Sequence, residues 1–291
     1  MSVNMEISTL TVMAWKGKKV GACNLKCPYC ISHMTHRIEP EGRSMIQPKR
    51  IAFLADKYKR VCAGIPYGII SSKGETTLTE KEELGKIIEV LYESGLVPEL
   101  QTNGTLLNPE KMGYWHGKGL NTIALSCVSH IDEVNSQIMS GGKIHWQLAP
   151  TIREARKIGL LVRLTAILTK GGIDSPDSLM AFMTWAREAG AHQLTFRKMG
   201  EPRNLALPGS QRVAQWIRSH QIDPNFAISI LKEKGIEKEP LPWALRFGYE
   251  GMSVVLTDHM NAPIKEHVRH AVIQPDGHLY GSWDDPSDII I

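Results

Sequence analysis

The sequence predicts an α/β fold in which a parallel sheet is covered by helices. Short apolar runs that suit buried strands alternate with segments whose apolar residues recur at helical spacing. Gly, Asn-Pro and Ser-Pro steps separate these segments. With one strand placed just before Cys23, the alternation gives six β/α units in about 200 residues, and such units form parallel sheets with right-handed crossovers.

The predicted helices share apolar residues at the spacing 0, 3, 4 and 7, which places those residues on one face. They begin at Pro48, at a Thr79–Glu82 capping box, at Asn108-Pro109, near residue 147 and at Ser175-Pro176. We expect Gly95, Gly159 and Gly190 to end three of them, because glycine adopts the left-handed conformation that often follows a helix.

The predicted strands lie between these helices as short apolar runs. They are YGIIS (67–71), LVPELQ (96–101), NTIALSC (121–127), LLVRLTAIL (160–168) and AHQLTF (191–196). Continuous apolar runs are typical of strands that are buried on both faces, as in a parallel sheet.

The pattern changes after about residue 205, so we predict two domains, residues 1–204 and 205–291. The second begins with a helix near 210–219, followed by a passage rich in lysine and proline at 232–242. Two hairpins are expected after it, ALRFGYEGMSVVL and HAVIQPDGHLYGSW, the second turning at Asp276-Gly277.

The composition favours a cytoplasmic globular protein. The net charge is only +4, and the short basic runs at 16–19 and 57–60 are typical of solvated surface, so no nucleic-acid partner is expected. No apolar run approaches the roughly 20 residues that cross a bilayer, and no basic segment followed by an apolar block opens the sequence.

Three of the five cysteines, Cys23, Cys27 and Cys30, lie in one short stretch, GACNLKCPYCISHM. Because thiolates are soft metal ligands, this group indicates a metal centre or catalysis rather than a disulfide framework. A structural zinc site would need a fourth ligand, such as His33 or His36.

Zinc motifs usually take two ligands from each of two loops, and the remaining cysteines, Cys62 and Cys127, are isolated. The spacing therefore favours a centre that is held by three cysteines and keeps its fourth position open.

The C-x3-C-x2-C spacing, with Tyr29 directly before the last cysteine, resembles the signature of the radical S-adenosylmethionine (radical SAM) superfamily. The resemblance implies that the three thiolates hold one 4Fe-4S cluster, whose fourth iron is chelated by S-adenosylmethionine. It also implies a partial (β/α)6 TIM-like barrel, with residues 205–291 as a small α+β segment that caps the barrel mouth.

Four further segments resemble the family in order, so the resemblance spans about residues 17–200. They are SSKGETTL (71–78), LQTNGTLL (100–107), LSCVSH (125–130) and VRLTAILTKGG (162–172). In the first, Lys73 and Thr76 replace the first Gly and the Pro of the family's Gly-Gly-Glu-Pro turn, while Gly74 and Glu75 remain. The resemblance implies that this turn receives the amino group of S-adenosylmethionine.

The cofactor-binding residues that the resemblance implies all lie in these segments or beside the last cysteine. They are Tyr29 at the adenine, Gly74 and Glu75 at the amino group, Thr102, Asn103, Ser126 near the ribose or methionine, and Arg163 at the carboxylate. Most of them follow predicted strands, and ligands of parallel α/β folds collect at the carboxyl ends of strands.

Each of these residues also has a simpler interpretation. Tyr29 could pack within its loop, and Glu75 could be a surface charge. Ser126 and Arg163 could form structural hydrogen bonds, because inward-facing polar side chains need a partner.

Cys127 ends the fourth predicted strand. Some radical SAM epimerases return a hydrogen atom to the substrate from a thiol, so Cys127 is a candidate hydrogen donor; alternatively it is a small buried apolar residue. Cys62 is expected to be structural. Arg197 and Glu201, together with polar residues of the C-terminal segment, are candidates for the substrate pocket. The C-terminal candidates are His259, Asn261, His267, His270, His278 and Trp283.

The sequence therefore predicts a radical SAM enzyme. In this family, reductive cleavage of S-adenosylmethionine gives a 5′-deoxyadenosyl radical that abstracts hydrogen from the substrate. We expect one cluster, because no cysteine follows Cys127, an external electron donor such as flavodoxin or ferredoxin, and a small-molecule substrate: a nucleotide, sugar or amino acid. The alternatives are modification of a peptide or RNA, or a non-catalytic zinc- or cluster-binding regulator.

Overall fold

The computed structural model describes residues 6–14, 22–35, 38, 47–202, 204–241, 243–257, 267–283, 285 and 287–291. Several sequence predictions lie outside these residues: the basic run at 16–19, His36, His259 and Asn261, and the side chain of His267.

The described strands form one 11-stranded sheet in the order β11-β10-β1-β2-β3-β4-β5-β6-β9-β8-β7. Their bounds are β1 Glu6–Met13, β2 Cys62–Ser71, β3 Val97–Thr102, β4 Thr122–Cys127, β5 Leu161–Ile167, β6 Gln193–Arg197, β7 Ile236–Leu241, β8 Ala244–Tyr249, β9 Met252–Thr257, β10 His267–Ile273 and β11 Leu279–Tyr280. Strands β1 to β6 are parallel neighbours in chain order. The sheet does not close on itself, which confirms the predicted α/β partial barrel.

The described helices connect and flank these strands. Their bounds are α1 Pro48–Lys59, α2 Lys81–Glu93, α3 Pro109–Gly117, α4 Asp132–Ser140, α5 Leu148–Ile158, α6 Pro176–Ala189, α7 Ser210–His220 and α8 Asn225–Lys234. Across the described ranges, every helix is too short or too polar to span a lipid bilayer.

Most of the predicted helix ends are confirmed. The Asn108 side chain accepts a hydrogen bond from the backbone N–H of Lys111 at the start of α3, and Ser175 caps α6. Gly159 and Gly190 adopt left-handed conformations directly after α5 and α6. These caps satisfy backbone groups that have no partner inside the helix.

The predicted Thr79–Glu82 capping box is wrong. Helix α2 begins at Lys81 and has no side-chain cap, while the Thr79 N–H closes a short 3-10 turn by donating to the carbonyl of Thr76. Thr79 therefore belongs to the 3-10 turn that follows Glu75, and its side chain does not cap α2.

The outer faces of the strands form the main core. Along β5 the exposure alternates, with Val162, Leu164 and Ala166 buried in the core cluster that includes the helices. The intervening residues, such as Arg163 and Thr165, face the inside of the partial barrel, because successive side chains of a strand point to opposite faces.

The C-terminal segment extends the same sheet at both edges. Strand β9 pairs parallel to β6, and β10 pairs parallel to β1. Both predicted hairpins are confirmed, β8–β9 turning at Glu250 and Gly251 and β10–β11 at Gly277, all with positive φ. The division near residue 204 stays a prediction.

Candidate cofactor and substrate site

A cavity of about 290 Å³ lies at the carboxyl ends of the parallel strands. Its lining includes residues at or next to the last position of six strands: Ser71 of β2, Thr102 of β3, Cys127 of β4, Ile167 of β5, Arg197 of β6 and Thr257 of β9. The lining also includes the three clustered cysteines. The predicted edge of the sheet is therefore where the candidate residues meet.

Cys23, Cys27 and Cys30 are free thiols. The backbone N–H of Cys30 donates to the carbonyl of Cys27 at 3.1 Å, closing a tight turn. The N–H of Leu25 donates to Sγ of Cys23 at 3.4 Å, and Sγ of Cys27 lies 3.6 Å from the carbonyl oxygen of Met139. The loop thus presents three sulfur ligands to one cavity.

Burial raises the pKa of Cys23 to about 11 and that of Cys27 to about 12. The neighbouring thiols contribute in the same direction, since each negative sulfur disfavours the next. Thiolates at these positions therefore need a cationic centre to hold them, and metal binding would release their protons. This donor set fits an iron–sulfur centre.

No three His, Cys, Asp or Glu side chains in the described residues are grouped closely enough to bind one metal ion. A four-iron cluster binds each thiolate through a different iron, so its ligands stand farther apart than those of a single ion.

The cysteine loop is tied to the ends of β2 and β3. The backbone N–H of Glu75 donates to the carbonyl of Ala22 at 2.8 Å. The Asn103 side chain donates to the Asn24 side chain at 3.0 Å, and Asn24 donates to Thr105 at 2.7 Å. Asn24 was not identified from the sequence, because its role depends on partners about 80 residues away.

Glu75 is buried at the cavity wall, and its carboxylate accepts four hydrogen bonds. Oε1 accepts from the backbone N–H of Thr77 at 2.9 Å, the Thr77 hydroxyl at 2.6 Å and the Thr102 hydroxyl at 2.5 Å. Oε2 accepts from the backbone N–H of Asn103 at 2.8 Å. A surface role is therefore wrong for Glu75, because these donors orient a buried negative charge towards the cavity.

Gly74, Thr102, Asn103 and Ser126 also line the cavity. The N–H of Gly74 donates to the Ser72 hydroxyl at 3.0 Å, and the N–H of Gly104 donates to the Thr102 hydroxyl at 3.0 Å. The structure therefore brings together these four residues, Glu75 and the cysteines, which the sequence predicted as one site.

Tyr29 lines the cavity and packs against α7. Its ring lies 5.6 Å from the ring of Trp216, and both side chains adjoin a small cluster that contains Met34 and Met199. Burial raises the pKa of Tyr29 well above its usual value, so the phenol is neutral. The packing alternative is thus realised in part, and contact with the adenine stays a prediction.

Cys127 is buried and lines the cavity at the end of β4. Its Sγ lies 3.9 Å from the carbonyl oxygen of Thr165. Burial raises the pKa of Cys127, so the group at this position is S–H.

Arg163 and Arg197 differ in their contacts. Arg163 forms a short ion pair with the buried carboxylate of Glu99, which matches the structural alternative, and it is not part of the described cavity lining. Arg197 lines the cavity. Burial, reinforced by Arg163, lowers the pKa of Arg197 to about 10, so the guanidinium remains protonated at neutral pH.

The remaining substrate candidates that the structure describes lie away from the cavity lining. Glu201 pairs with Arg218 at 2.6 Å, His270 contacts the Thr9 hydroxyl at 2.5 Å, and His278 lies 3.4 Å from Asp276. The carbonyl of Trp283 accepts a hydrogen bond from Lys73.

Lys73 was missed as a functional position, although the sequence marks it as a replacement in the turn. Its buried Nζ donates to the Thr35 hydroxyl at 2.6 Å and to the Trp283 carbonyl at 2.7 Å. The Ser32 hydroxyl donates to the Lys73 carbonyl. Lys73 therefore links the cysteine loop to the C-terminal segment.

A family model described as the radical SAM superfamily matches residues 19–186. The chain belongs to the radical SAM superfamily. None of the curated proteins compared with this chain matches it.

Solved structures share the fold of this chain at low sequence identity. SuiB of Streptococcus suis has a TM-score of 0.53 at 10% identity, over 96% of this chain and 60% of SuiB. SuiB bound to its precursor peptide SuiA has a TM-score of 0.50 at 13% identity, over 68% of this chain and 40% of that chain. The protein anSMEcpe with bound AdoMet and the Cp18Cys peptide has a TM-score of 0.52 at 13% identity, over 95% of this chain and 74% of that chain. The chain thus spans 40% to 60% of SuiB in these comparisons, and the likeness establishes the fold.

Proposed function

We propose that this radical SAM enzyme binds one 4Fe-4S cluster through Cys23, Cys27 and Cys30 and acts on a small molecule. When bound, the cluster and S-adenosylmethionine would supply a 5′-deoxyadenosyl radical that removes a hydrogen atom from the substrate. The protein contributes binding, orientation and exclusion of water.

The observation that carries this proposal is that three free thiols and the Glu75 carboxylate line one cavity. Hydrogen bonds between the two loops hold them in place. A cluster ligated by three cysteines keeps one iron open, and a fixed carboxylate beside it can accept hydrogen bonds from an ammonium group.

The proposed contacts to S-adenosylmethionine follow from this arrangement. Glu75 binds the amino group, with Gly74 in the same turn, while Thr102 and Asn103 orient the Glu75 carboxylate. Ser126 and Tyr29 are the proposed contacts to the ribose or methionine and to the adenine. For Arg163, the ion pair with Glu99 favours the structural role over the cofactor carboxylate.

We also propose that Cys127 returns a hydrogen atom to the substrate radical. The thiol would give up its S–H hydrogen and become a thiyl radical, which then needs one electron from the electron donor and one proton from solvent. A neutral thiol suits this step, and burial keeps Cys127 protonated. In Cys127→Ala, we expect cofactor cleavage to continue while product formation falls or the product changes. Unchanged turnover and product in Cys127→Ala would exclude this role, with Cys62→Ala as the control.

Flavodoxin or ferredoxin is the proposed electron donor. A groove lies beside the cysteine loop. Lys26 and Lys170 both line it, together with Trp216 and His220. Two lysines near the cluster suit an acidic electron-transfer protein, because complementary charge steers association.

Anaerobic reconstitution with iron and sulfide tests the main proposal. The protein should bind iron and sulfide equal to one cluster per chain, bleach with dithionite and release 5′-deoxyadenosine from S-adenosylmethionine. Variants with Ala at Cys23, Cys27 or Cys30 should show none of these three results, whereas Cys62→Ala should behave like the natural protein. A colourless protein that holds one zinc would instead support the regulator.

A peptide substrate is the second candidate, since SuiB and anSMEcpe have been solved with peptides. We favour a small molecule because the cavity is close to the lower end of the usual size range of ligand pockets. RNA modification would require RNA affinity that falls steeply with salt concentration.

A further inference from the structure

Arg197 occupies a distinctive position in the cavity. It is the last residue of β6, and its register partners are Ile167 on β5 and Thr257 on β9. Ile167, Arg197 and Thr257 all line the cavity. Arg197 is therefore on the β6–β9 side of the cavity, whereas Glu75 and Asn103 approach from the β2–β3 side.

Among the residues that the structure describes, none is a hydrogen-bond or ion-pair partner of the Arg197 guanidinium. Its Nε is buried without an acceptor. The charges that act on it are those of Arg163 and Glu99. Glu99 is already paired with Arg163, so these two arginines share one carboxylate and leave one positive charge in surplus.

A half-buried cation whose Nε is fully buried without an acceptor is unfavourable for folding unless a ligand or water compensates it. Guanidinium groups bind carboxylates and phosphates through two parallel hydrogen bonds, and this geometry makes arginine the common choice for such groups. The position of Arg197 in the cavity wall makes both its charge and its donors available to a bound molecule.

The position of Arg197 argues against the cofactor as that molecule. The amino and carboxylate groups of the cofactor's methionine part are attached to one carbon, so a cofactor whose amino group meets Glu75 keeps its carboxylate on the β2–β3 side. Strand β6 lies three strands from β3 in the sheet, so the backbone of Arg197 lies on a different side of the cavity from that of Glu75.

We propose that Arg197 binds an anionic group, a carboxylate or a phosphate, of the substrate, and that this radical SAM enzyme therefore acts on an anionic small molecule. The inference rests on the proposed function, which identifies this cavity as the substrate site. The neighbouring Thr257 hydroxyl, whose own bond to the Phe196 carbonyl is long at 3.4 Å, is available as an additional donor to the same group.

The proposal can be tested by thermal unfolding of the reconstituted protein at constant ionic strength, with succinate, inorganic phosphate or chloride as the anion. Succinate or phosphate should raise the melting temperature of the natural protein above that in chloride. This increase should vanish in Arg197→Met and be partly kept in Arg197→Lys, and Arg153→Met, at an exposed position on α5, should behave like the natural protein. An effect of succinate alone indicates a carboxylate, and an effect of phosphate alone indicates a phosphate.

In chloride, Arg197→Met should melt at the same temperature as the natural protein or above it, because the variant removes an uncompensated cation. Its affinity for S-adenosylmethionine should stay within about twofold, because the proposed contact of Arg197 is with the substrate. The proposal is overturned if neither anion stabilises the natural protein, if the effect persists in Arg197→Met, or if cofactor affinity falls tenfold. Failure to assemble a cluster would instead count against the proposed function. The two failures are distinguishable, because the effect of the anions is measured by thermal unfolding and not by cluster content.

Discussion

Glu75 combines a buried negative charge with a full set of hydrogen-bond donors. Backbone and side-chain donors from two loops point at its carboxylate. Hydrogen bonds to a charged acceptor contribute about 1.5–3 kcal/mol each, so these contacts also hold the turn in place.

Glu75→Gln should weaken binding of S-adenosylmethionine by at least about tenfold, because the amide replaces the charge that would face an ammonium group. It should also reduce the free energy of unfolding by about 1–3 kcal/mol, because the amide NH2 would face N–H donors. Calorimetric titration of the reconstituted protein measures the first effect. The matched control is Glu110→Gln, whose carboxylate is exposed and pairs with Lys81; equal affinities in the two variants would contradict the role of Glu75.

Arg163 and Glu99 form an ion pair inside the partial barrel. Arg163→Met should reduce the free energy of unfolding by about 3–5 kcal/mol, because the Glu99 carboxylate would stay buried without its partner. Removing both charges, in Glu99→Leu combined with Arg163→Met, should recover much of that loss. Urea unfolding of the two variants decides the matter: a double variant that is no more stable than the single one would show that the pairing is unimportant.

At the scale of elements, α4 positions the end of β4 and thereby Cys127. The fully buried Asn135 side chain of α4 accepts hydrogen bonds from the backbone N–H groups of Val128 and Ser129, at 2.8 and 3.1 Å, and donates to the Ser129 carbonyl at 2.8 Å. The carbonyl of Met139, at the other end of α4, accepts from the N–H of Lys26. This helix thus contacts both the cysteine loop and the fourth strand.

Asn135→Ala should reduce the free energy of unfolding by about 1–3 kcal/mol, since buried backbone donors would lose their acceptor. It should also expose Cys127 to thiol reagents, because the chain after β4 is no longer held. Urea unfolding and the rate of Cys127 alkylation measure these effects. Gln137→Ala, on the exposed side of the same helix, is the control; similar alkylation rates in both variants would show that α4 does not hold the loop.

At the scale of the whole molecule, the C-terminal segment covers the two edges of the six-stranded unit. Strand β10 covers β1, and β9 covers β6. An uncovered strand edge exposes backbone groups that pair with other chains, so this arrangement protects the molecule from aggregation. The link from Lys73 to the Trp283 carbonyl ties the same segment to the cysteine loop.

Ala271→Asp should detach β10 from β1 and promote aggregation. Ala271 is fully buried opposite Leu10 of β1, and an unpaired charge at this position should cost about 3–5 kcal/mol. Light scattering during mild heating measures the aggregation. Ser253→Asp places the same charge at an exposed position of β9 and should remain monodisperse; aggregation of both variants would indicate a general effect of the added charge.

Local features could be predicted from the sequence. The three cysteines lie in one short loop, so their spacing alone predicts a metal centre with an open fourth position, and the family resemblance predicts its type. Helix ends at Asn108, Ser175 and Gly190 depend on contacts within a few residues. The proximity of Glu75 and Thr102 could also be predicted, because the carboxyl ends of parallel strands lie on one edge of the sheet.

Features that depend on distant partners could not be predicted. Helix α4 buries Asn135 and Ser136, so it lacks the apolar repeat that identifies a helix. Thr79 was assigned to the wrong element, because the turn after Glu75 uses its backbone.

The sequence alone therefore determined the superfamily and the α/β partial barrel, and it predicted the three-cysteine loop as the cluster site, because each depends on a local pattern or on the order of elements. The tertiary structure alone decided which interior charges are paired. Arg163 meets Glu99 across 64 residues of chain, whereas Arg197 faces the cavity with its Nε unpartnered among the described residues. The physical reason is that electrostatic pairing depends on distance in space, and residues far apart in the chain become neighbours only when the sheet has formed.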